Sequence, residues 1–401
     1  MGNIVELKKK NMLNIIRTIQ KSEKITKQEI AEITGLTVVT VHNFITELLN
    51  CGICVETGSV GSNGGRRAVL YKINENVGYF IGLHISRDHI SVSVNNVGLE
   101  ELYMSKTVNK IDDIDATLKN ICDEIRKTIK NTEIPREKLL GIGIILPGQI
   151  DHVKGTVLSI PFAPKWKNVP IKNIVEAEFD IKTVVDNDNN GYIIAAKLLN
   201  IISNEKNAVL ITIADGVGTG ILLDGKVFYG VHSYAGELGH TTVAYNGELC
   251  RCGNRGCIET LLNDTAIIKK VKALFPQCPP FIKSDDDWSI SSIVKLSEHY
   301  PEIYGVFEEA AHIISILIDH TIKAYDPGVI ILQTNWLGSF PKLVEDIPHK
   351  WCTWLKRDKR GIIINPIFNT LGQAASCIVL DQMLNKSADS ELIKMILDKV
   401  I

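Results

Sequence analysis

The sequence predicts an α/β protein with two lobes, preceded by a small winged helix-turn-helix module. From about residue 79, strands and helices alternate in two halves. Before that point, short helices are followed by two strands, as in a helix-turn-helix with a wing. With 401 residues the chain is too long for one ordinary core. We therefore predict a DNA-binding domain at 1–72, a linker at 73–78 and a larger domain at 79–401.

Composition and charge narrow the class of protein. The chain is 45% hydrophobic and 22% charged, and it contains no apolar run of transmembrane length and no signal-peptide core. Its nine cysteines are an odd number, which argues for a reducing compartment and against a disulfide framework. We expect a cytoplasmic protein without a membrane partner. Residues 1–72 hold ten Lys/Arg and six Asp/Glu, so this end suits a polyanion.

The first 50 residues carry the signals of three short helices. Thr26 and Glu29 form a capping box that opens the second helix, and Gly35 ends it. Thr37 can cap a third helix, whose outward face would contact DNA, although a generic three-helix bundle is the alternative. The residues that we predict on this DNA-facing surface are Thr37, Val38, Val39, His42, Asn43 and Thr46.

Two predicted strands, 53–58 and 69–73, would flank a wing at 58–67. The tip of the wing is rich in glycine and ends in Arg66 and Arg67. Arginine is attracted to the strong negative potential of a narrow minor groove, so we predict that both arginines contact DNA there.

Beyond the linker, short apolar runs predict buried strands, and longer runs with helical periodicity predict helices. The strands that we predict are 79–83, 90–95, 141–145, 209–213, 221–223 and 329–332. The principal helices that we predict are 115–130 and 304–324.

A loop at residues 236–259 concentrates metal-binding side chains. One histidine and three cysteines lie within eighteen residues, which is the ligand count of a closed tetrahedral zinc site. The predicted zinc ligands are His240, Cys250, Cys252 and Cys257. Four protein ligands leave no open position, so this zinc would be structural; the alternative is a set of free cysteines. Glu237 and Glu259 flank the ligands and could accept hydrogen bonds from a polyol.

Asn187 and Asp188 follow the apolar residues Val184 and Val185, at the end of a predicted strand. Ligands of α/β proteins collect at such strand ends, and Asp188 could act as a general base toward a sugar hydroxyl. The same pattern is equally typical of an Asn/Asp helix cap, and the residues alone leave both interpretations open.

The loop at 236–259 resembles the signature of the ROK family, named for repressor, open reading frame and kinase. The family pattern is Glu-x-Gly-His, a loop, and Cys-x-Cys-Gly-x-x-Gly-Cys-x-Glu, and every position is matched here. The resemblance implies an actin/hexokinase-like fold with a cleft between its lobes, the zinc ligands named above, and Trp166 at the cleft. It also implies that the sugar is contacted by Asn187, Asp188, Glu237, His240 and Glu259. In kinases of the family the residue at Asp188 is the catalytic base.

The resemblance is weaker where kinases of the family bind ATP. They carry Asp-x-Gly-Gly-Thr in the first hairpin, whereas this chain has His84-Ile85-Ser86-Arg87-Asp88. A later Gly-Gly is replaced by Gln333-Thr334. Phosphate-binding turns need small residues and an acid near magnesium, so we expect no enzymatic activity. The wing resembles the Gly-Gly-Arg-Arg-Pro wing of ROK repressors, with Ala68 in place of proline.

The sequence therefore favours a sugar-responsive DNA-binding regulator, a repressor by first expectation, which binds a double-stranded operator as a homodimer or homotetramer. Bound sugar should change operator affinity by roughly 5–150-fold, the usual range of allosteric couplings. An ATP-dependent sugar kinase with an added DNA-binding module is the alternative. A regulator whose effector is a protein partner is a third possibility.

Overall fold

The structure is a computed structural model that describes residues 2–22, 24–61, 67–202, 205–280, 282–284, 287–347, 361–364 and 371–385. The chain forms two compact units, the first comprising Met1–Asn200 with Phe368–Ile401 and the second comprising Ile201–Ile367. No helix within the described ranges is long and apolar enough to cross a membrane.

The amino-terminal part of the first unit is a winged helix-turn-helix. Its helices are α1 (Gly2–Lys21), α2 (Lys27–Thr34) and α3 (Val38–Asn50), and its strands are β1 (Ile25–Thr26), β2 (Cys54–Val60) and β3 (Ala68–Ile73). The three strands form a sheet in the order β1-β3-β2, and β2 and β3 are the antiparallel strands of the wing.

The predicted helix signals are confirmed at the turn between α2 and α3. The Thr26 hydroxyl oxygen accepts a hydrogen bond from the Glu29 backbone N–H, and the Glu29 carboxylate accepts one from the Thr26 backbone N–H, which completes the capping box. Gly35 ends α2 with a φ of 70°, a left-handed conformation that glycine adopts at no steric cost. The Thr37 side chain then caps α3. Each residue that was predicted to begin or end a helix of this motif therefore does so.

The remainder of the first unit is built on a five-stranded sheet in the order β11-β7-β4-β5-β6. Its strands are β4 (Tyr79–Ile85), β5 (His89–Asn96), β6 (Glu101–Val108), β7 (Leu139–Leu146) and β11 (Thr183–Asn187). A small sheet contains β8 (Gln149–Asp151), β9 (Thr156–Ser159) and β10 (Lys167–Val169). The helices are α4 (Ile114–Thr132), α5 (Ile171–Phe179), α6 (Asp188–Leu198) and, from the carboxyl-terminal segment, the helix Leu371–Asn385.

The second unit repeats the design with a sheet in the order β14-β13-β12-β15-β16. Its strands are β12 (Ala208–Ile213), β13 (Val217–Leu223), β14 (Lys226–Val227), β15 (Val329–Thr334) and β16 (Gly361–Ile364). Its helices are α7 (Glu259–Leu262), α8 (Asp264–Lys272), α9 (Ile290–Leu296), α10 (Glu302–Tyr325) and α11 (Pro341–Asp346). The helix Leu371–Asn385, which follows in the chain, is called α12 below. The apolar side of α10 fills the core of this unit, as its periodicity predicts.

The predicted strands and helices are confirmed in kind, and most of their ends lie at the predicted residue or a few residues beyond it, whereas β2 begins one residue later than predicted. One expectation is wrong: Trp166 does not line a cleft. Its side chain is fully buried in the core of the first unit, and its Nε1 donates a hydrogen bond to the Ile111 carbonyl at 2.6 Å. An indole needs one partner when buried, and Ile111 supplies it from 55 residues away.

Candidate functional site

The four predicted zinc ligands lie together in the second unit. One ligand atom from each of His240, Cys250, Cys252 and Cys257 lies within 4.8 Å of the other three. The Cys252 and Cys257 sulfurs are 3.7 Å apart, and the Cys250 sulfur is 3.4 Å from His240 Nδ1. Sulfurs bound to one zinc at about 2.3 Å in a tetrahedron lie about 3.8 Å apart. The donor set and its spacing therefore fit zinc.

The burial of these thiols also fits a cation. Cys250 and Cys257 are buried, and burial, together with the neighbouring sulfurs, raises the pKa of Cys257 to about 12. A thiol in such a place stays protonated at neutral pH unless a cation stabilises the thiolate, and zinc is bound by thiolates.

Glycines allow the loop to close around the four ligands. A Cβ on Gly239 would lie 2.0 Å from the Val217 carbonyl oxygen, and a Cβ on Gly256 would lie 1.6 Å from the Ala244 carbonyl oxygen. Gly256 also has a φ of 66°. Because both obstacles are backbone atoms, no side chain fits at either position. The glycines of the signature are thus explained by close approach of backbone to backbone.

His240 presents its two ring nitrogens to different partners. Nδ1 faces the Cys250 sulfur at 3.4 Å, while Nε2 lies 3.7 Å from a carboxylate oxygen of Glu237. Burial raises the pKa of Glu237, the charge on Glu259 adds to this rise, and His240 opposes it. A histidine that ligates metal through one nitrogen usually directs the other at a carboxylate, a backbone carbonyl or a water molecule. His240 can therefore serve the metal and a polar ligand beside Glu237 at once.

Glu259 begins α7 and is more enclosed than its predicted sugar-facing role suggests. Its carboxylate accepts a hydrogen bond from the Val217 backbone N–H at 3.2 Å and another from Arg251 at 3.4 Å. Arg251 also donates to the Asp215 carbonyl at 2.8 Å. Sequence reasoning missed Arg251, because a residue between two cysteines carries no signal of its partners. The Glu259 carboxylate thus joins the metal loop to the turn at Asp215.

Asn187 and Asp188 lie in the first unit, at the carboxyl end of β11 and the start of α6. The cap interpretation is borne out for Asn187, whose Oδ1 accepts a hydrogen bond from the Asn189 backbone N–H at 2.9 Å. Its Nδ2 donates to the Gly148 carbonyl at 2.9 Å. The Asp188 carboxylate is partly buried and accepts hydrogen bonds from Asn189. Capping fixes the orientation of Asn187 and leaves Asp188 at the positive end of the helix dipole.

Side chains fill the first hairpin, between β4 and β5. Ser86 Oγ lies 3.0 Å from Asp88 Oδ1 and 2.7 Å from His89 Nδ1, and the Arg87 guanidinium stacks over the Phe162 ring at 5.2 Å. His84 is buried beneath the hairpin, with Nε2 3.1 Å from the Tyr192 hydroxyl. Burial lowers the pKa of His84 to about 3, so it is neutral at physiological pH. The side chains of this hairpin therefore contact one another and their immediate neighbours at the turn.

The predicted DNA-facing surface is a continuous exposed surface of the described structure. Thr37, Val38, Val39, His42, Asn43 and Thr46 are all exposed, whereas Val41, Ile45 and Leu48 are buried on the opposite side of α3. His42 Nδ1 lies 2.9 Å from the Lys27 ammonium, which the sequence analysis did not identify. Lys27 opens α2, so this surface includes a charge from the neighbouring helix.

The wing is observed up to its tip. The β2–β3 ladder runs to the pair Val60 and Ala68, and Arg67 is exposed beside it. Arg66 lies outside the described residues, within the tip at 62–66. The contribution of Arg66 to DNA binding therefore stays a prediction.

Comparison with known families agrees with these features. Residues 80–379 match the ROK family, and residues 9–53 match a winged helix-turn-helix DNA-binding family. The chain belongs to the ROK family. The match covers well over half of the chain and includes both five-stranded sheets and the metal loop.

Two curated relatives are named as regulators of transcription. A xylose repressor of Caldicellulosiruptor bescii is 34% identical over 278 residues, which is 69% of each chain. The DNA-binding transcriptional dual regulator NagC of Escherichia coli K12 is 25% identical over 339 residues, covering 83% of this chain and 82% of that protein.

Solved structures show the same fold. A ROK family transcriptional regulator described as a homolog of the E. coli MLC protein superposes with a TM-score of 0.79 at 23% identity, over 98% of this chain and 99% of that one. A ROK glucokinase of Streptomyces griseus, solved with glucose and AMPPNP, gives a TM-score of 0.65 at 21% identity. It covers 76% of this chain and 100% of the kinase.

Proposed function

We propose that this chain is a sugar-responsive transcriptional repressor that binds an operator through its winged helix-turn-helix. The observation that carries the proposal is the joining of a DNA-binding module to a ROK domain, with six outward residues of one helix free of the core. The relatives named as xylose repressor and as NagC support it, because both names describe regulators of transcription.

DNA binding is proposed to use α3 in the major groove and the wing in the minor groove. Asn43 is an amide on the exposed face and can pair bidentately with adenine, whereas Arg67 adds a charge at the base of the wing. A two-fold operator is read by two such modules, so we propose a homodimer or a homotetramer.

The effector is proposed to be a small sugar contacted by Asn187, Asp188, Glu237, His240 and Glu259. Carboxylates and amides accept and donate the hydrogen bonds of sugar hydroxyls, and each of these side chains is oriented by a neighbour. The names of the relatives make D-xylose and N-acetylglucosamine the first sugars to test.

Structural zinc, one ion per chain, is proposed at His240, Cys250, Cys252 and Cys257. The ion would fix the loop that carries Glu237 and His240, and it would shape the loop without activating water. The residues that contact sugar would then be positioned before the sugar arrives.

We propose that sugar phosphorylation has been lost. The support is local: the side chains of Ser86 and Arg87 occupy the first hairpin, and His84 stands where kinases of the family carry an acid. Purified protein with ATP, magnesium and either sugar should release no ADP above background. Sugar-dependent release at about 1 per second, ordinary for an enzyme, would promote the kinase alternative.

The central experiment measures operator affinity by fluorescence anisotropy, with and without each sugar. Wild type should bind promoter fragments near its own gene and lose roughly 5–150-fold in affinity with the effector sugar. Asp188→Ala should keep basal operator binding and lose the sugar response, while Asp123→Ala, an exposed carboxylate on α4, should retain both. Operator affinity unchanged by a sugar that binds tightly would refute sugar control.

The salt dependence of the same measurement separates the two DNA contacts. Arg67→Ala should reduce the slope of log affinity against log salt by about 0.9 for each DNA-bound module, because each module loses one charge that neutralises a phosphate. Asn43→Ala should cost about 1–3 kcal/mol and leave the slope unchanged. Lys165→Ala, an exposed charge remote in sequence from the module, should change neither quantity.

A further inference from the structure

The carboxyl-terminal helix α12 lies directly on the sheet of the first unit. A Cβ on Gly143 would lie 1.8 Å from the Ala375 carbonyl oxygen, and a Cβ on Gly82 would lie 2.0 Å from the Gly372 carbonyl oxygen. Ser376 Oγ donates to Asn95 Oδ1 at 2.8 Å beneath the helix. Such close contact leaves α12 little freedom to shift independently of β4, β5 and β7.

The far end of α12 is tied to α6. Lys197, in the last turn of α6, forms an ion pair with Asp381 of α12 at 2.9 Å, and both side chains are about four-fifths buried. The other end of α6 is the capped start at Asn187 and Asp188. The eleven residues of α6 span about 16 Å, so this helix connects the two proposed sugar contacts to α12.

The same end of α12 receives a side chain from the DNA-binding module. Arg17 of α1 donates a hydrogen bond from its guanidinium to the carbonyl of Leu384. Carbonyls in the last turn of a helix lack a partner within the helix, and the negative end of the helix dipole favours a cation. The contact joins residues 367 positions apart in the sequence.

Arg17 is held there at a cost. Its Nε is buried, and no hydrogen-bond partner for it occurs within the described part of the chain. Burial lowers the pKa of Arg17, and the nearby charge of Asp381 partly offsets the effect. A buried polar group without a partner calls for an explanation, and a role in positioning the module is one.

The winged module is also attached to the sheet through its covalent linker. There, the Glu75 carbonyl accepts a hydrogen bond from the Val97 backbone N–H at 3.1 Å, and Glu75 pairs with Lys72 at 3.0 Å. An attachment in the linker alone would allow rotation about it, and a further attachment away from the linker restricts that rotation. Arg17 supplies such an attachment, at the end of α12.

We infer that Arg17 is a positioning residue, which sets the orientation of the DNA-binding module through α12 and thereby transmits sugar occupancy at the start of α6 to the recognition helix. The inference rests on the proposed sugar-responsive function. The route consists of α6, the Lys197–Asp381 pair, the end of α12, Arg17 and α1. A ligand can bias the route only by binding one orientation better than the other.

The test uses the full-length protein with Arg17→Met, which keeps an apolar stem and removes the guanidinium. Operator affinity is measured with and without D-xylose and, separately, N-acetylglucosamine. Arg17→Met should bind the sugar within about twofold of wild type and should still bind the operator, whereas the roughly 5–150-fold sugar effect should fall below about twofold. Arg17→Lys should restore part of the effect because a cation at the helix end is retained. Lys21→Ala removes one charge from the same helix at an exposed position and should behave as wild type.

A second readout needs neither sugar nor DNA. Spin labels at the exposed positions Val39 on α3 and Leu102 on β6 report the distance between the module and the sheet. Arg17→Met should broaden this distance distribution, and Lys21→Ala should not. A distribution unchanged by Arg17→Met, or a full sugar response in that variant, overturns the inference. If wild-type operator binding ignores both sugars while the distribution still broadens, the sugar assignment fails and the positioning role stands.

Discussion

The two units carry corresponding hairpins, and the two hairpins are held in opposite ways. In the first unit, the turn between β4 and β5 is held by its own side chains, with Ser86 Oγ 3.0 Å from Asp88 and 2.7 Å from His89. In the second unit, the turn between β12 and β13 is mostly backbone, and a Cβ on Gly216 would lie 3.0 Å from Glu259. Glu259 holds this turn from 42 residues away, through the Val217 N–H.

The difference shows where each hairpin obtains its order. The first depends on residues within its own turn, so it should be independent of the rest of the protein. The second depends on Glu259 and Arg251, which belong to the proposed metal loop. A disturbance of that loop should therefore reach one hairpin and leave the other unchanged.

The largest expected effect comes from Cys257→Ser. Zinc content should fall from one ion per chain to nearly none, because a serine hydroxyl is a poor substitute for a buried thiolate. Amide hydrogen exchange should rise in β13 and at the turn before it, while the hairpin of β4 and β5 keeps its wild-type protection. Sugar affinity should weaken as well.

Cys278→Ser is the matched control, since Cys278 is an exposed free cysteine of the same unit. It should retain zinc and wild-type exchange. Wild-type protein that lacks stoichiometric zinc by elemental analysis would contradict the metal assignment, and equal exchange changes in both hairpins would contradict the comparison.

A smaller effect is expected from Gly239→Ala, which places a Cβ 2.0 Å from the Val217 carbonyl oxygen of the second hairpin. The backbone must shift, at a cost of about 1–3 kcal/mol in the free energy of unfolding. Gly305→Ala makes the same change at an exposed position of α10, where nothing lies within 4 Å of the added Cβ, and should stabilise by about 0.5–1 kcal/mol. Urea unfolding measures both. A neutral Gly239→Ala would show that the loop is not tightly packed against the hairpin.

Local features could be predicted from the sequence because neighbouring residues determine them. The capping box at Thr26, the end of α2 at Gly35 and the cluster of His240 with three cysteines all arise within short segments. Long-range contacts could not be predicted. Neither the enclosure of Glu259 nor the contact of Arg17 with Leu384 leaves a periodic or compositional signal, since each depends on how distant elements pack.

The two hairpins also predict opposite responses to pH. At the first, burial lowers the pKa of His84 from 6.5 to about 3, and the charges of His89 and Lys106 add to this. Below about pH 6.5, His84 is therefore protonated in the unfolded protein and remains neutral in the folded protein. The free energy of unfolding consequently decreases as pH falls. The loss approaches about 1.4 kcal/mol per pH unit. His84→Gln should flatten the fall in unfolding free energy between pH 6.5 and pH 4.5, with no such change above pH 7.5.

The smallest effect on the pH dependence of stability is expected at Asp264, and its sign is opposite to that of His84. Asp264 lies beside the second hairpin, where its backbone N–H donates a hydrogen bond to the Ala214 carbonyl at 2.8 Å. Burial raises the pKa of Asp264 from 3.8 to about 6; the charge on Asp215 adds to this rise, and a hydrogen bond from Asn335 opposes it. Between these values the folded protein binds a proton that the unfolded protein has released, so stability falls as pH rises. Asp264→Asn removes the ionisable group and should gain stability relative to wild type as pH rises from 4 to 6. Hydrogen exchange followed separately in β4 and α8 assigns each response to its unit. If both variants changed the pH dependence of the unfolding free energy in the same direction, burial of a base at the first hairpin and of an acid at the second would not explain these responses.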